Sequence, residues 1–389
     1  MRCGPAMRWP WARRRARMSD EIGVGVLFAQ TGNMAVTEQA LLSGTLVAID
    51  EINSGGGVAG RPIVPIIEDP GPDPASYRDI ARRMVLHHQV PVIFGCCSSA
   101  SRKAVLPVVE RHGAVLFYPS VYEGFEYSPN VIYTGPTPAQ TIVPLIKYLF
   151  AHHGRRFFLV GSEYVFAREI SRIAKEFLLE SAGSVAGETY LPMGAPDSAF
   201  AEVAERIAAA RPDVVLSTVV GADTARLYAA CHAIGATSAG HPIASLTASE
   251  AEIAALSPAA RAGHLTVAPY FAGIESPASA RFTALYEKRY GAGRRPNMYA
   301  EAGYLQVHLF ARAVPREGAP DPDRIVRSLG GTRHASAQGE VEIDADTNHT
   351  ALKARIGRSR EDGGFDLLWE DASIVRPDPY LVAYERKIL

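Results

Sequence analysis

The stretch of sequence that decides the fold runs from Gly95 to Pro138 and reads GCCSSASRKAVLPVVERHGAVLFYPSVYEGFEYSPNVIYTGPTP. It predicts a strand end, a helix that starts among serines, a second strand and a crossover crowded with tyrosines. Those tyrosines are Tyr118, Tyr122, Tyr127 and Tyr133. Ligands of open α/β sheets bind beyond the carboxyl ends of the strands, where these hydroxyls follow. The stretch therefore indicates a binding site for a small polar molecule, and it contains no arrangement of residues typical of a catalytic site.

The alternation of strand and helix continues on both sides of this stretch. GVGVLFA at 23–29 and IVPIIED at 63–69 precede it, separated by an amphipathic helix, and give a βαβαβαβ order. After the crossover the pattern starts again with FFLVG at 157–161 and runs to HLTVAPYF at 264–271, followed by long helices and short β-rich segments. We predict an α/β protein with two doubly wound parallel sheets.

The chain length favours two lobes, because 389 residues exceed the ~250 to 300 at which a single core usually stops growing. We predict that lobe 1 contains residues 19–135 and 268–338, and that lobe 2 contains residues 136–267 and 339–389. The ligand cleft would lie between the lobes. Its walls would be the strand-to-helix loops near residues 30–36, 95–101, 118–122, 161–166, 218–223, 246–250 and 269–273.

The charge distribution separates a basic arm from an acidic body. Residues 1–18 hold six arginines and no acid, so the rest of the chain has 34 basic against 41 acidic residues, a net charge of −7. An acidic body disfavours direct binding of nucleic acid. The arm is a disordered basic tail, a degenerate export signal, or untranslated sequence before a true start at Met18. Because no apolar run of about 7 to 15 residues follows the arginines, we favour a cytoplasmic location.

Several motifs that would indicate chemistry are missing. The sequence has no GxxxxGK[ST], no GxGxxG between a strand and a helix, no GxSxG and no HExxH, so we predict no catalytic residues, no cofactor and no metal. DADTN at 344–348 resembles the start of a calcium loop, but His349 and Arg355 stand where glycine and glutamate are required. The cysteines form no CxxC pair and fit a reducing compartment as small buried residues; they are Cys3, Cys96, Cys97 and Cys231.

The positive evidence lies at the predicted cleft loops. Ser98 and Ser99 start a helix directly after a strand, so their hydroxyls and free backbone N–H groups suit a carbonyl or carboxylate oxygen. An ordinary helix cap is the alternative for both serines. Tyr118 ends the next strand, and Tyr164 follows the first strand of the second unit. Tyrosine hydroxyls both donate and accept, which matches an uncharged ligand that carries C=O and NH₂ groups.

Seven segments that contain these residues resemble the amide-binding branch of the type I periplasmic-binding-protein superfamily. The segments are GCCSSASRKAVLPVVER, FYPSVYEGFEYSPNVIYTGPTPAQ, GSEYVFARE, STVVGADTA, IASLTASEAEIA, APYFAGIESPAS and IVRPDPYLV. The resemblance extends from Gly23 to Tyr384. It implies two doubly wound parallel-sheet lobes, joined by crossover strands, with the ligand cleft between them.

Two subgroups of that branch compete. IASLTASEAEIA and APYFAGIESPAS are closer to the cytoplasmic amide sensor of the aliphatic-amidase operon (AmiC type), a negative regulator that holds an ANTAR-type RNA-binding antiterminator inactive. The segments at 94–107 and 131–144 are closer to the exported urea and short-chain-amide component of ABC transporters, whose partner is a permease. Our main prediction is a sensor for a small neutral amide or urea, and the transporter component, which would be periplasmic, is the alternative. An amide hydrolase is disfavoured, and self-association stays open.

The resemblance also assigns site residues and departures. Matched by motif, the amide pocket of the sensor falls on Ser99, Tyr118 and Tyr164. Cys97 stands where the family usually has an aromatic ring, which implies a larger pocket on that side. The remaining predicted ligand-binding residues are Ser98, Ser120, Val121, Phe166, Val220, Thr247 and Tyr270. Among these, Ser120 and Val121 replace a threonine and a proline of the sensor, and Phe166 replaces a tyrosine.

Overall fold

The structure is a computed structural model that describes residues 21–238, 240–315 and 320–382. The predicted basic arm at 1–18 lies outside the described residues. The first sheet has five parallel strands in the order β2-β1-β3-β4-β5. These strands are β1 (Ile22–Leu27), β2 (Ile63–Glu68), β3 (Val92–Gly95), β4 (Val115–Tyr118) and β5 (Val131–Tyr133). We call this sheet with its helices the first lobe.

The second sheet has seven strands in the order β15-β14-β10-β9-β8-β6-β7 and forms, with its helices, the second lobe. Its strands are β6 (Arg156–Ser162), β7 (Ser184–Leu191), β8 (Val214–Thr218), β9 (Ile243–Ser245), β10 (Leu265–Ala268), β14 (Arg355–Ser359) and β15 (Phe365–Glu370). β6 to β10 are parallel, whereas β14 and β15 pair antiparallel at one edge. A smaller antiparallel sheet contains β11 (Arg333–Ser336), β12 (Gly339–Ile343) and β13 (Thr350–Ala351).

Helices connect the parallel strands, so the predicted α/β class with parallel-sheet lobes is confirmed. The helices of the first lobe are α1 (Ala35–Ser54), α2 (Pro74–Leu86) and α3 (Ser99–His112). The second lobe contains α4 (Ile142–His152), α5 (Val165–Glu180), α6 (Asp197–Ala210), α7 (Asp223–Ala233), α8 (Glu250–Ile253) and α9 (Pro258–Arg261). The chain then forms α10 (Pro277–Tyr290), α11 (Met298–Ala313) and α12 (Pro322–Leu329). The predicted residue boundaries of the lobes stay predictions.

Two glycines allow α11 to pack along α1 of the first lobe. A Cβ atom on Gly44 would lie 1.7 Å from the carbonyl oxygen of Ala300, and one on Gly303 would lie 2.1 Å from that of Leu41. Contacts this short are possible only between backbones without side chains at these positions. The close approach brings the start of α11 to the cleft, although about 250 residues separate the two helices in sequence.

The connections between the two lobes are bonded to one another. Gln140, in a short 3₁₀ turn after β5, donates from its side-chain amide to the carbonyl oxygens of Thr350 and Val375, both at 2.9 Å. The Thr350 hydroxyl donates in turn to the carbonyl oxygen of Tyr133 at 2.9 Å. One buried side chain therefore ties three separate chain segments together at the junction of the lobes.

Candidate functional site

The first wall of the cleft is built at the start of α3. Ser98 is half-buried and caps the helix, because its Oγ accepts the backbone N–H of Ser101 at 3.1 Å. Ser99 is the first residue of the helix and is buried, and its Oγ donates a hydrogen bond to the carboxylate of Glu123. The capping interpretation therefore describes Ser98. Ser99 instead belongs to a side-chain network at the cleft.

Three further predicted residues lie beside Ser99. The Tyr118 hydroxyl donates to the carbonyl oxygen of Cys97 at 2.7 Å, and the Cys97 Sγ lies 3.4 Å from the Ser120 Oγ. All three residues are buried. We call Cys97, Ser99, Tyr118, Ser120 and Glu123 the Ser99 wall. The structure thus brings four of the sequence-predicted residues together, and one of them, Ser99, is bonded to an acid that the sequence analysis missed.

A buried ion-pair network supports the wall from behind. The Arg102 side chain is fully buried and contacts Glu123 at 3.1 Å and Glu126 at 2.7 Å. Its guanidinium also lies 4.7 Å from the ring centres of both Tyr118 and Tyr122. In this ion pair the Glu123 carboxylate accepts hydrogen bonds from both Arg102 and Ser99.

The tyrosines of the crossover do not share one role, which corrects the expectation of a tyrosine-lined cradle. Tyr122 and Tyr133 are buried and stack at 5.3 Å, and Tyr133 stacks on His349 at 4.1 Å, behind the Ser99 wall. Tyr127 is exposed to solvent. Only Tyr118 of this group is hydrogen-bonded within the wall. Tyr122 and Tyr133 form an aromatic core with His349, because strand β5 and the segment before β13 enclose them.

The second lobe places Tyr164 opposite this wall, directly before α5. Burial raises its pKa well above the ordinary value, and Cys97, Tyr118 and Glu123 raise it further because they face it. Among the described residues its hydroxyl has no hydrogen-bond partner. Phe166 packs inside the core of the second lobe, 5.8 Å from the Tyr164 ring, while Val121 packs against that same core from the first lobe.

Tyr299 is a cleft residue that the sequence analysis missed. It lies in the first turn of α11, and its hydroxyl donates to the carbonyl oxygen of Thr247 at 2.9 Å across the lobes. The Thr247 hydroxyl donates to the carbonyl oxygen of Val219 at 2.9 Å. Burial raises the pKa of Tyr299, as do the neighbouring groups of Glu252, Cys97 and Tyr164. The predicted residue Thr247 thus contributes its backbone to an interlobe contact.

A second set of hydrogen bonds closes the mouth of the cleft, and we call it the latch. Asn33 donates from Nδ2 to the carbonyl oxygen of Val220 and accepts from the backbone N–H of Ala222, both at 3.0 Å. Thr37 donates to a carboxylate oxygen of Glu252 at 2.5 Å. The latch consists of Asn33, Thr37, Val220, Gly221, Ala222 and Glu252. Its bonds join the two lobes, so the structure represents a closed cleft.

A family model described as a periplasmic binding protein domain matches residues 22–386. The chain belongs to this family. Its fold is shared with the solute-binding protein of an ABC transporter from Rhodopseudomonas palustris BisB5, in complex with 3,4-dihydroxybenzoic acid. That structure has a TM-score of 0.81 and 21% identity over 92% of this chain and 99% of its own. Another is the binding protein from Rhodopseudomonas palustris HaA2 with p-hydroxybenzoic acid, at a TM-score of 0.82 and 22% identity over 94% and 100%.

A third structure of this fold is the branched-chain amino acid binding protein LivJ from Streptococcus pneumoniae with isoleucine. It has a TM-score of 0.77 and 18% identity over 92% of this chain and 100% of its own. A curated protein, limonene hydroxylase from Geobacillus stearothermophilus, is 24% identical over 120 residues, which are 31% of this chain and 22% of that protein. The chain therefore spans about a fifth of that relative. At these identities the structural neighbours of the binding protein establish its fold.

The remaining predicted residues of this periplasmic binding protein lie outside the Ser99 wall. The carbonyl oxygen of Val220 is part of the latch. Tyr270 is buried against α10, where its hydroxyl lies 3.3 Å from Ser279 Oγ and its ring 6.2 Å from that of Phe282. Because the chain turns after β10, the Tyr270 side chain enters a core. Its position follows from that turn, which the sequence pattern does not specify.

The segment at 344–348, which resembles the start of a calcium loop, forms ion pairs with an arginine. Arg376 contacts Asp344 at 2.9 Å and Asp346 at 3.2 Å. Across residues 21–238, 240–315 and 320–382, no group of three or more metal-ligating side chains is arranged to hold a metal ion. In the same part of the chain, no helix has the length and apolar character that crossing a membrane requires.

Proposed function

We propose that this binding protein encloses a small neutral amide or urea-like molecule between its lobes and delivers it to an ABC permease. The observation that carries the ligand class is the charge balance of the Ser99 wall. Arg102 is the buried cation behind that wall, and it already pairs with two carboxylates, Glu123 and Glu126, the second of which also pairs with Lys103 at 3.3 Å. Family membership and the transporter proteins that share the fold support the transport role.

A carboxylate ligand fits this charge balance poorly. Burying an anion without an unpaired cation is unfavourable, and here the anion would lie beside the ionised Glu123. The named ligands of the three structural neighbours, two hydroxybenzoic acids and isoleucine, all carry a carboxyl group. A neutral amide avoids this repulsion, and hydroxyl groups of the cleft can satisfy its hydrogen-bond donors and acceptor. We therefore propose a ligand class that differs from those of the neighbours.

The cleft can hold both ends of an amide. The free Tyr164 hydroxyl can donate to the carbonyl oxygen of the ligand, and Ser99 and Tyr118 on the facing wall can accept from its NH₂ group. In this proposal the short apolar tail of the ligand lies beside the small Cys97 and the apolar Val121. Because a missing methylene changes binding by only ~1 to 3 kcal/mol, we expect modest discrimination by tail length.

A thermal-shift screen tests the ligand class. The panel contains acetamide, propionamide and urea, with acetate, benzoate and isoleucine as charged counterparts. A ligand at about 100 times its Kd stabilises the folded state by ~2.7 kcal/mol, which gives a clear rise in Tm. We expect the neutral compounds to raise Tm and Tyr164→Phe to reduce the rise. A Tm that responded only to benzoate or isoleucine would sink the proposal.

A ligand sensor with an antiterminator partner is the second candidate function. The segments at 243–254 and 268–279 favour it, because they resemble the sensor subgroup and the first of them supplies Glu252 to the latch. Ligand-dependent closing would then alter the surface that a partner protein recognises. Cell fractionation separates the candidates, because a transporter component is found in the periplasm and a sensor in the cytoplasm. For both candidates we expect no release of ammonia from acetamide or urea.

A further inference from the structure

The only proton of the Ser99 hydroxyl is already used inside the protein. Ser99 donates to one oxygen of Glu123, and Arg102 holds the other oxygen at 3.1 Å. Both side chains of this ion pair are nearly inaccessible to solvent, at 0% for Arg102 and 5% for Glu123. An ionised carboxylate accepts hydrogen bonds and cannot donate them. The Ser99 oxygen is therefore left with its lone pairs for any molecule in the cleft.

Two further hydroxyls of the cleft also donate their proton to an acceptor within the protein. Tyr118 donates to the carbonyl oxygen of Cys97 at 2.7 Å, and Tyr299 donates to the carbonyl oxygen of Thr247 at 2.9 Å. A backbone carbonyl, like a carboxylate, is only an acceptor, so these two protons are also committed. Three hydroxyls from α3, β4 and α11 thus present acceptors toward the cleft.

We infer that Glu123 is a positioning residue that fixes Ser99 as an acceptor, so that the cleft selects ligands with N–H donors. The inference rests on the proposed function of the cleft and names what the ligand must carry, an unsubstituted NH₂ group such as that of a primary amide or urea. A ketone of the same shape leaves the lone pairs of Ser99 and Tyr118 unpaired. Sites built to bond an NH or OH group reject analogues that lack it.

Acetamide and acetone test this selection, because they have nearly the same shape and only acetamide has N–H donors. Titration calorimetry gives the ratio of their Kd values. We expect the unaltered protein to bind acetamide at least tenfold more tightly than acetone. Glu123→Gln places an NH₂ group beside Ser99, which lets the serine donate into the cleft, and we expect the ratio to fall at least fivefold.

Glu126→Gln is the matched control, because Glu126 also pairs with Arg102 and makes no bond to Ser99. Like Glu123→Gln, this substitution removes one carboxylate charge beside Arg102. We expect it to keep the ratio of the two Kd values within twofold of that of the unaltered protein. If Glu123 only stabilised the fold, Glu123→Gln would weaken both ligands equally and leave the ratio unchanged, which overturns the inference. Should that variant fail to fold, Ser99→Ala replaces it, and an unchanged ratio there overturns the inference as well.

The inference and the proposed function fail in different ways. If the unaltered protein binds acetamide and acetone with similar Kd values, N–H selection is wrong while binding of small neutral molecules stands. If it binds neither acetamide nor urea, the proposed function fails and the inference fails with it. A tenfold preference for acetamide that Glu123→Gln lowers and Glu126→Gln preserves supports both.

Discussion

The Ser99 wall and the latch each contain a buried glutamate, but the two acids are held differently. Glu123 in the wall pairs with the Arg102 guanidinium, whereas Glu252 in the latch accepts from the hydroxyls of Thr37 and Ser249 and from a backbone N–H group. Burial raises the pKa of Glu252, and those hydrogen bonds offset part of the rise.

Under the proposed function, recognition by the wall and closing by the latch use separate chemistry. The bonds of the wall lie within the first lobe and are in place before a ligand arrives, so the wall is preorganised. The bonds of the latch join the two lobes and form only when the cleft closes. On this proposal an ion-paired network selects the ligand, and hydrogen bonds between the lobes contribute to how firmly they close around it.

The largest expected effect follows from removing the cation of the wall. Arg102→Met leaves Glu123 buried without its cation, whereas Glu126 keeps Lys103 at 3.3 Å, and we expect a loss of about 3 to 5 kcal/mol in the free energy of unfolding. Denaturation with guanidinium chloride measures this loss, because urea is itself a proposed ligand. Arg78→Met is the control, since Arg78 is exposed and pairs with Asp79 at the surface, where we expect a much smaller loss. Equal losses in both variants would refute a special role for the network.

The next effect concerns pH and the helix that carries the latch. Burial raises the pKa of Glu38 in α1 to about 7, although the Tyr77 hydroxyl and the Ala29 N–H oppose the rise. The folded state therefore binds a proton that the unfolded state releases, and this contribution to stability is lost as pH rises through about 7. We expect the free energy of unfolding to fall between pH 5.5 and pH 8.

Glu38→Gln removes that titration and keeps an oxygen that can accept both hydrogen bonds. At ~1.4 kcal/mol for each pKa unit, we expect the fall to be smaller by ~2 kcal/mol in the variant. Denaturant unfolding at both pH values gives the comparison. An identical fall in the variant and in the unaltered protein would show that Glu38 is not the titrating group.

The smallest effect comes from blocking the latch. A Cβ atom on Gly221 would lie 2.2 Å from the carbonyl oxygen of Asn33, so Gly221→Ala opposes closing. We expect binding of acetamide to weaken about tenfold, which is ~1.4 kcal/mol. Gly113→Ala is the control, because Gly113 has nearly the same φ, 63° against 65°, and no atom within 4 Å of its Cβ position. Equal losses of affinity would indicate backbone strain and not blocked closing.

The sequence predicted the fold and part of the site for clear physical reasons. Periodicity marked the strand ends, so the start of α3 at Ser99 and the position of Tyr118 at the end of β4 were predicted together. The resemblance to the amide-binding branch added Cys97 and Ser120. Arg102 was missed because its partners lie more than 20 residues away on a crossover without periodic pattern. Tyr299 was missed because the packing of α11 on α1 brings it to the cleft.

The bonds of Gln140 have a mechanical consequence. Because one amide holds the segments at Thr350 and Val375, and Thr350 holds β5, these connections cannot bend independently of one another. The three segments are therefore coupled at the junction, so that a displacement of one is transmitted to the other two. We expect any change in the angle between the lobes to strain these three hydrogen bonds together.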